Sequence, residues 1–146
     1  MIDARSGLLE ETFNLLLACG GGREECVAYW TGPIGPAFIV DVVVQPVHRA
    51  GRTWYEVDDG WVTGYFLELR ETGRTIRAQI HTHPGRSVSH SQIDDAFAIA
   101  PNPGFASIVI PGFATGRAQL EGSSVAICRE RGGWEELDAS RVISWF

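Results

Sequence analysis

Apolar and polar residues follow two rhythms along this chain, and turn residues mark where one gives way to the other. From residue 6 to 18, Leu8, Leu9, Phe13, Leu15, Leu16 and Leu17 recur among polar residues at helical spacing. Ser6 stands where a cap belongs and Gly20-Gly21-Gly22 stops the run, which predicts a helix over 6–18. Residues 24–31 and 37–44 read as strands, the second mostly buried, with Gly32-Pro33 and Gly35-Pro36 forming the turn between them. Residues 45–60 are irregular, with turn signals at Gln45-Pro46, Ala50-Gly51 and Asp58-Asp59-Gly60 around a short strand at 53–57. Asp58 or Asp59 can cap a helix over 61–72, whose apolar face carries Val62, Tyr65, Phe66 and Leu69 and which Gly73 ends. A strand over 75–83 runs directly into His81-Thr82-His83-Pro84. A helix from about 92 to 100 follows and is stopped by Pro101-Asn102-Pro103-Gly104. Strands at 105–110, 123–129 and 134–138 and an apolar tail at 142–146 complete the chain. The expected class is α/β, a mixed sheet flanked by helices. No repeat or linker divides the chain, so 1–146 is expected to be one domain.

Composition narrows the chemistry. At 45% hydrophobic and 21% charged, the chain is expected to be a soluble globular protein. A net charge of −6 argues against a broad phosphate-binding face, so no nucleic-acid partner is expected; it suits a basic protein partner, though solvated charge accounts for it equally well. No run approaches a membrane span and no secretory leader is read, which leads to a cytoplasmic expectation. Cys19, Cys26 and Cys128 form no C-x-x-C pair and are expected to be free, buried thiols in a reducing compartment.

The candidate chemistry sits at the strand end. His81 and His83, two apart in a strand, point to one face and can converge on one ion. Pro84 cannot continue a central strand, so the chain leaves the sheet there and opens a cleft. Eleven residues past His83, Asp94 falls in the first turn of the expected helix, where its carboxylate can face the strand end. Two imidazoles and a carboxylate leave a fourth tetrahedral position open, the composition of catalytic rather than structural zinc. Taken singly, His-x-His is a weak metal signal and Ser91-Gln92-Ile93-Asp94 is an ordinary capping pattern. Together with Pro84 at fixed spacing, their chance of coinciding is on the order of 10⁻⁵ at this chain's own frequencies of His, Pro, Ser and Asp. His-Glu-x-x-His and the His-x-Glu/Pro-Cys-x-x-Cys pair of zinc deaminases are both absent.

The pattern His81-x-His83-Pro84-x₆-Ser91-x₂-Asp94 resembles the motif of the JAMM (MPN-plus, JAB-type) metalloproteases, and the likeness extends over nearly the whole chain in element order. It implies a JAMM/MPN-like fold, related in architecture to the cytidine-deaminase-like fold, and one Zn²⁺ per chain held by His81, His83 and Asp94. The family's upstream glutamate, usually in Glu-x-Cys/Met-Gly, falls on Glu24 of Glu24-Glu25-Cys26-Val27, with Val27 in place of the glycine. Glu24 is then the expected general base, and Ser91 the expected donor to the oxyanion. The resemblance further implies an isopeptidase or peptidase cutting after the C-terminal glycine of a ubiquitin-like protein. Small bacterial relatives of this kind accompany ubiquitin-like, E1-like and E2-like proteins, in some cases in antiphage operons. Trimming of a sulfur-carrier protein and a non-catalytic MPN scaffold are the alternatives, the second disfavoured because the metal motif is intact. Trp54, Tyr55 and Arg86 are the candidate substrate contacts. His48 is expected to be an exposed loop residue, His90 occupies an unconstrained motif position, and the five tryptophans read as core or interface.

Overall fold

The structure, a computed structural model, describes residues 1–89, 99 and 102–146. The expected helix at 92–100, with Ser91 and Asp94, lies outside the described residues, as does His90. The elements in order are β1 (Ile2–Ala4), α1 (Leu8–Gly20), β2 (Val27–Pro33), β3 (Phe38–Val40), β4 (Val42–Val44), β5 (His48–Ala50), β6 (Tyr55–Val57), α2 (Asp59–Glu71) and β7 (Arg74–Thr82). Then come β8 (Ala106–Ile110), a 3₁₀ turn (Gly112–Ala114), β9 (Ser124–Cys128), β10 (Trp134–Leu137), α3 (Ala139–Val142) and β11 (Ile143–Trp145).

Six strands form the main sheet in the order β10-β9-β8-β7-β2-β4, in which β7 and β8 are parallel and every other pair is antiparallel. This is the mixed sheet the sequence predicts. A second, all-parallel sheet runs β11-β1-β3, and β5 and β6 make an antiparallel hairpin. Strand alternation divides the core in two. Cys26, Ala28 and Trp30 of the β2 segment, with Ala78 and Ile80 of β7, face α1 and its Leu8, Leu9, Phe13 and Leu16. Val27 and Tyr29 face the other side, toward Leu69 of α2, where Trp61 stacks between Tyr29 and Tyr65.

Several boundaries differ from expectation for identifiable reasons. The cap of α1 is Gly7 in a left-handed conformation, with no side-chain cap from Ser6. Asp58, one of the two candidates, does cap α2, its carboxylate accepting from the Trp61 N–H at 2.8 Å. The expected strand 37–44 breaks at Asp41, whose carboxylate pairs with Arg74; its halves join different sheets. The apolar tail is a short helix and a strand pairing with β1, a long-range partner that local pattern does not reveal. Of the tryptophans, Trp30 is fully buried, whereas Trp54 and Trp145 are exposed.

Two positions carry the sheet. Gly32 lets β2 approach β3 closely: a Cβ there would overlap the Ile39 carbonyl oxygen. Trp30 donates its indole N–H to Thr12 Oγ1 at 2.8 Å, and Thr12 in turn donates to the Leu8 carbonyl at 2.7 Å, tying sheet to helix inside the apolar core. Trp30→Ala should therefore cost about 3–5 kcal/mol of stability through the cavity it opens. Trp30→Phe should cost less, about 1–3 kcal/mol, chiefly through the lost hydrogen bond. Denaturant midpoints check the ranking; equal losses in the two variants would show that the bond to Thr12, which both lack, outweighs the cavity.

Candidate metal and catalytic centre

The parallel strands β7 and β8 end side by side, and the site forms where they do. His81 is the penultimate residue of β7 and is fully buried. His83 follows the strand and is fixed through its backbone: its N–H donates to the Ile110 carbonyl at 2.9 Å and its carbonyl accepts from Phe113 at 3.1 Å. Phe113 and Ala114 both hold left-handed backbone conformations (φ 55° and 61°). Such conformations cost a non-glycine residue roughly 1–2 kcal/mol each. The strained turn is thus bonded directly to one of the two histidines.

The imidazoles converge as two-residue spacing predicts, their Nε2 atoms 3.1 Å apart. His83 Nδ1 lies 3.3 Å from the Ser87 carbonyl oxygen. A carbonyl only accepts, so Nδ1 carries the hydrogen and Nε2 presents its lone pair to His81. Two ring nitrogens at that separation are reconciled by a shared proton or a cation. Zinc–nitrogen bonds of about 2.05 Å in a tetrahedron set two nitrogens about 3.3 Å apart, so the pair fits that ion.

The acid beside the histidines is Glu25, not Glu24. Glu25 is buried, its Oε1 4.0 Å from His83 Nε2, whereas Glu24 is exposed. Register explains the difference. Val27 pairs with His81, and the Cys26 and Thr82 backbones are joined by Thr82 N–H to Cys26 O at 3.0 Å, which sets Glu25 across from His83. A shift of one residue reverses the face, so Glu24 turns outward. Glu25, His81 and His83 thus have ligand-type atoms within 4.8 Å of one another.

The β5–β6 hairpin borders this group. The Tyr55 ring lies 5.2 Å from the His81 ring, and its hydroxyl accepts from Gln79 Nε2 at 2.9 Å. Gln79 is buried, and its Oε1 accepts from the Ile99 N–H at 3.2 Å, so one amide joins the hairpin to Ile99, near the end of the segment expected to form the metal helix. At the hairpin turn, the Gly51 carbonyl accepts from the Glu25 N–H at 2.8 Å, and the Trp54 indole covers Gly51 so closely that a Cβ could not be added. Trp54 and Arg86 are exposed. Gln79 and Gly51 are participants that the sequence reading missed. Alternation with His81 is the signal that could have found Gln79.

Two further expectations are corrected. Cys19 and Cys26 form a disulfide; Cys128 is a buried thiol outside it. The turn after α1 folds back through left-handed Gly21 and Gly22 and brings the two Cα atoms to 6.3 Å, a proximity that a spacing of seven does not announce. Two of the three cysteines expected as reduced thiols are thus oxidised. His48, expected in an exposed loop, begins β5 and is half-buried against those two sulfurs.

No protein-family model matches the chain. It is 40% identical over 136 residues to the probable metalloprotease y4jG of Sinorhizobium fredii, covering 86% of this chain and 80% of that protein. The solution structure of protein DSY2949 from Desulfitobacterium hafniense superposes with a TM-score of 0.67 at 16% identity, over 100% of this chain and 93% of that one. The JAB1/MPN domain protein AF2198 from Archaeoglobus fulgidus gives 0.57 at 14%, over 99% and 97%. The structure of JAMM, a metalloprotease-like zinc site in the proteasome and signalosome, gives 0.53 at 12%, over 100% and 98%. No described helix is long and apolar enough to cross a membrane.

The purified chain should carry zinc, and His81→Ala and His83→Ala should each lose it from this site. Elemental analysis checks this; zinc retained in full by both variants overturns the assignment of the ion to these histidines.

Proposed function

The chain belongs to the JAMM (MPN-plus, JAB-type) family of zinc metalloproteases, and on that footing we propose that it is a peptidase or isopeptidase cutting after the C-terminal glycine of a ubiquitin-like protein. The observation that carries the catalytic part is the buried Glu25 carboxylate beside the converging Nε2 atoms of His81 and His83. His81 and His83, with Asp94 from the motif, are the residues that would hold the metal, which supplies a Lewis acid at the scissile carbonyl. Glu25 takes a proton from the attacking water and returns it to the leaving amine. Ser91, by its motif position, donates to the oxyanion.

The substrate part rests on the hairpin. Among the described residues, β5 and β6 pair only with each other, which leaves backbone edges to which an extended peptide can add as a further strand. Tyr55 brings β6 against His81, so a strand laid along the hairpin runs toward the metal site. A tail of glycines suits such a channel because it has no Cβ to meet the wall. Trp54, exposed at the turn, offers an apolar surface for the body of the partner.

Glu25→Gln should retain zinc and fold while losing roughly 10²–10⁴ of activity. Glu24→Gln should stay within a few-fold of the parent, and the opposite ranking would move the base to Glu24. Fusions of a ubiquitin-like domain ending in Gly-Gly to unrelated partners should be cut directly after the last glycine, whatever follows. A sulfur-carrier protein fused in the same way tests the narrower alternative. Mass spectrometry of the products decides: cleavage within the partner, or strict dependence on the partner's sequence, overturns tail recognition.

A further inference from the structure

We propose that Cys19, Cys26 and His48 form a second, thiol-dependent site for a borderline-soft divalent cation such as Zn²⁺, available when their disulfide is reduced. Neither the catalytic residues nor the substrate reading above requires it.

His48 Nδ1 lies 2.8 Å from the Pro46 carbonyl oxygen, which can only accept, so Nδ1 carries the hydrogen. In the neutral ring, Nε2 is then a bare lone pair. Among the described residues its polar neighbours are two sulfurs, Cys19 Sγ at 3.4 Å and Cys26 Sγ at 3.7 Å. Sulfurs joined in a disulfide have no proton to donate, so the oxidised pair gives this lone pair no partner. A bound cation, or a thiol, does. An imidazole whose second nitrogen is fixed by a backbone carbonyl is also the usual arrangement of a metal-ligating histidine.

Distance supports the cation. In a tetrahedral site with zinc–sulfur bonds of about 2.3 Å and zinc–nitrogen bonds of about 2.05 Å, sulfur and nitrogen stand roughly 3.5 Å apart. The two observed separations, those of the bonded sulfurs, already place both within reach of that value. The Cys19 and Cys26 Cα atoms, 6.3 Å apart, permit the sulfurs to separate to the roughly 3.8 Å that two zinc ligands need. Gln45 adds an independent sign: its Nε2 donates to Cys26 Sγ at 2.9 Å. A donated hydrogen bond stabilises charge on that sulfur and so favours the thiolate, the form that binds metal. Two sulfurs and an imidazole select zinc-like ions over magnesium or calcium, which take oxygen ligands.

The chemistry balances in two steps. A dithiol reductant gives two electrons and two protons to the Cys19–Cys26 bond, producing two thiols and becoming a disulfide itself. The two thiols then release their protons to solvent as the divalent ion binds both sulfurs and His48 Nε2. Oxidation of the pair and occupation of the site are therefore mutually exclusive.

The full chain carrying Cys128→Ser is reduced with a phosphine, release of two thiols is confirmed with a thiol reagent, and Co²⁺ is titrated in. Thiolate ligation gives an intense near-ultraviolet sulfur-to-cobalt band, which histidines and carboxylates do not produce. The band should appear in the reduced chain, be absent from the oxidised chain, and persist in His81→Ala, which separates this site from the catalytic one. Elemental analysis should find one more zinc per reduced chain than per oxidised chain. Cys26→Ser should abolish the band, and His48→Ala, which leaves the disulfide intact, should weaken cobalt binding by roughly tenfold or more. Absence of the band after confirmed thiol release, or a band unchanged in Cys26→Ser, overturns the proposal. So does a reduced chain whose circular dichroism shows unfolding that Zn²⁺ does not reverse.

Discussion

The pairing of β2 with β7 is the constraint on which the rest depends. These antiparallel strands run together from Val27–His81 to Pro33–Arg74, with one shift in register between Trp30 and Thr31. On one face, the pairing sets Trp30 and Ala28 beside Ala78 and Ile80 beneath α1. On the other, it sets Gln79 and His81 in the same layer as Val27 and Tyr29 and brings Glu25 level with His83. The interior is apolar on the α1 side and carries buried polar groups toward the site. A slip of one residue would exchange those faces, carrying Glu25 to the α1 side and out of the site. Folding stability and the placement of Glu25 are therefore one requirement.

The metal pair was legible because it is local. His81 and His83 need only strand alternation to share a face, and Pro84 marks the strand's end within the same short stretch. Glu25 was not, because its place follows from pairing with a strand more than fifty residues away. Nothing in Glu24-Glu25-Cys26-Val27 itself says which acid turns inward. The three-residue strands β1 and β11 were hidden for the same reason: each is too short for a pattern and exists through its partners. α2 was legible from its turn residues and apolar spacing, and its Asp58 cap follows from the same local signals.

The Cys19–Cys26 bond is an instance of the opposite failure, in which a spacing rule gave the wrong answer. The rule looks for closely spaced pairs, but a helix end followed by left-handed glycines reverses the chain within a few residues. The bond then closes the short segment leading into β2, at whose end Glu25 and Cys26 are neighbours. Cys26 is held again from the other side, its N–H donating to Thr82 Oγ1 at 2.9 Å. The segment bearing the acid is thus fastened to α1, to β7 and, through Gly51, to the hairpin.

Gln79 has a mechanical consequence of its own. A carboxamide is a rigid plane, so its oxygen and nitrogen cannot be repositioned independently. With the nitrogen on Tyr55 and the oxygen on the Ile99 amide, a displacement of the hairpin turns the plane and is delivered to the backbone at Ile99. Under the substrate reading proposed above, binding energy gained at the hairpin would have a route toward the site, the route by which an enzyme makes a distant grip on its substrate count toward rate instead of affinity alone. A leucine of similar size at this position would fill the same space and sever that linkage.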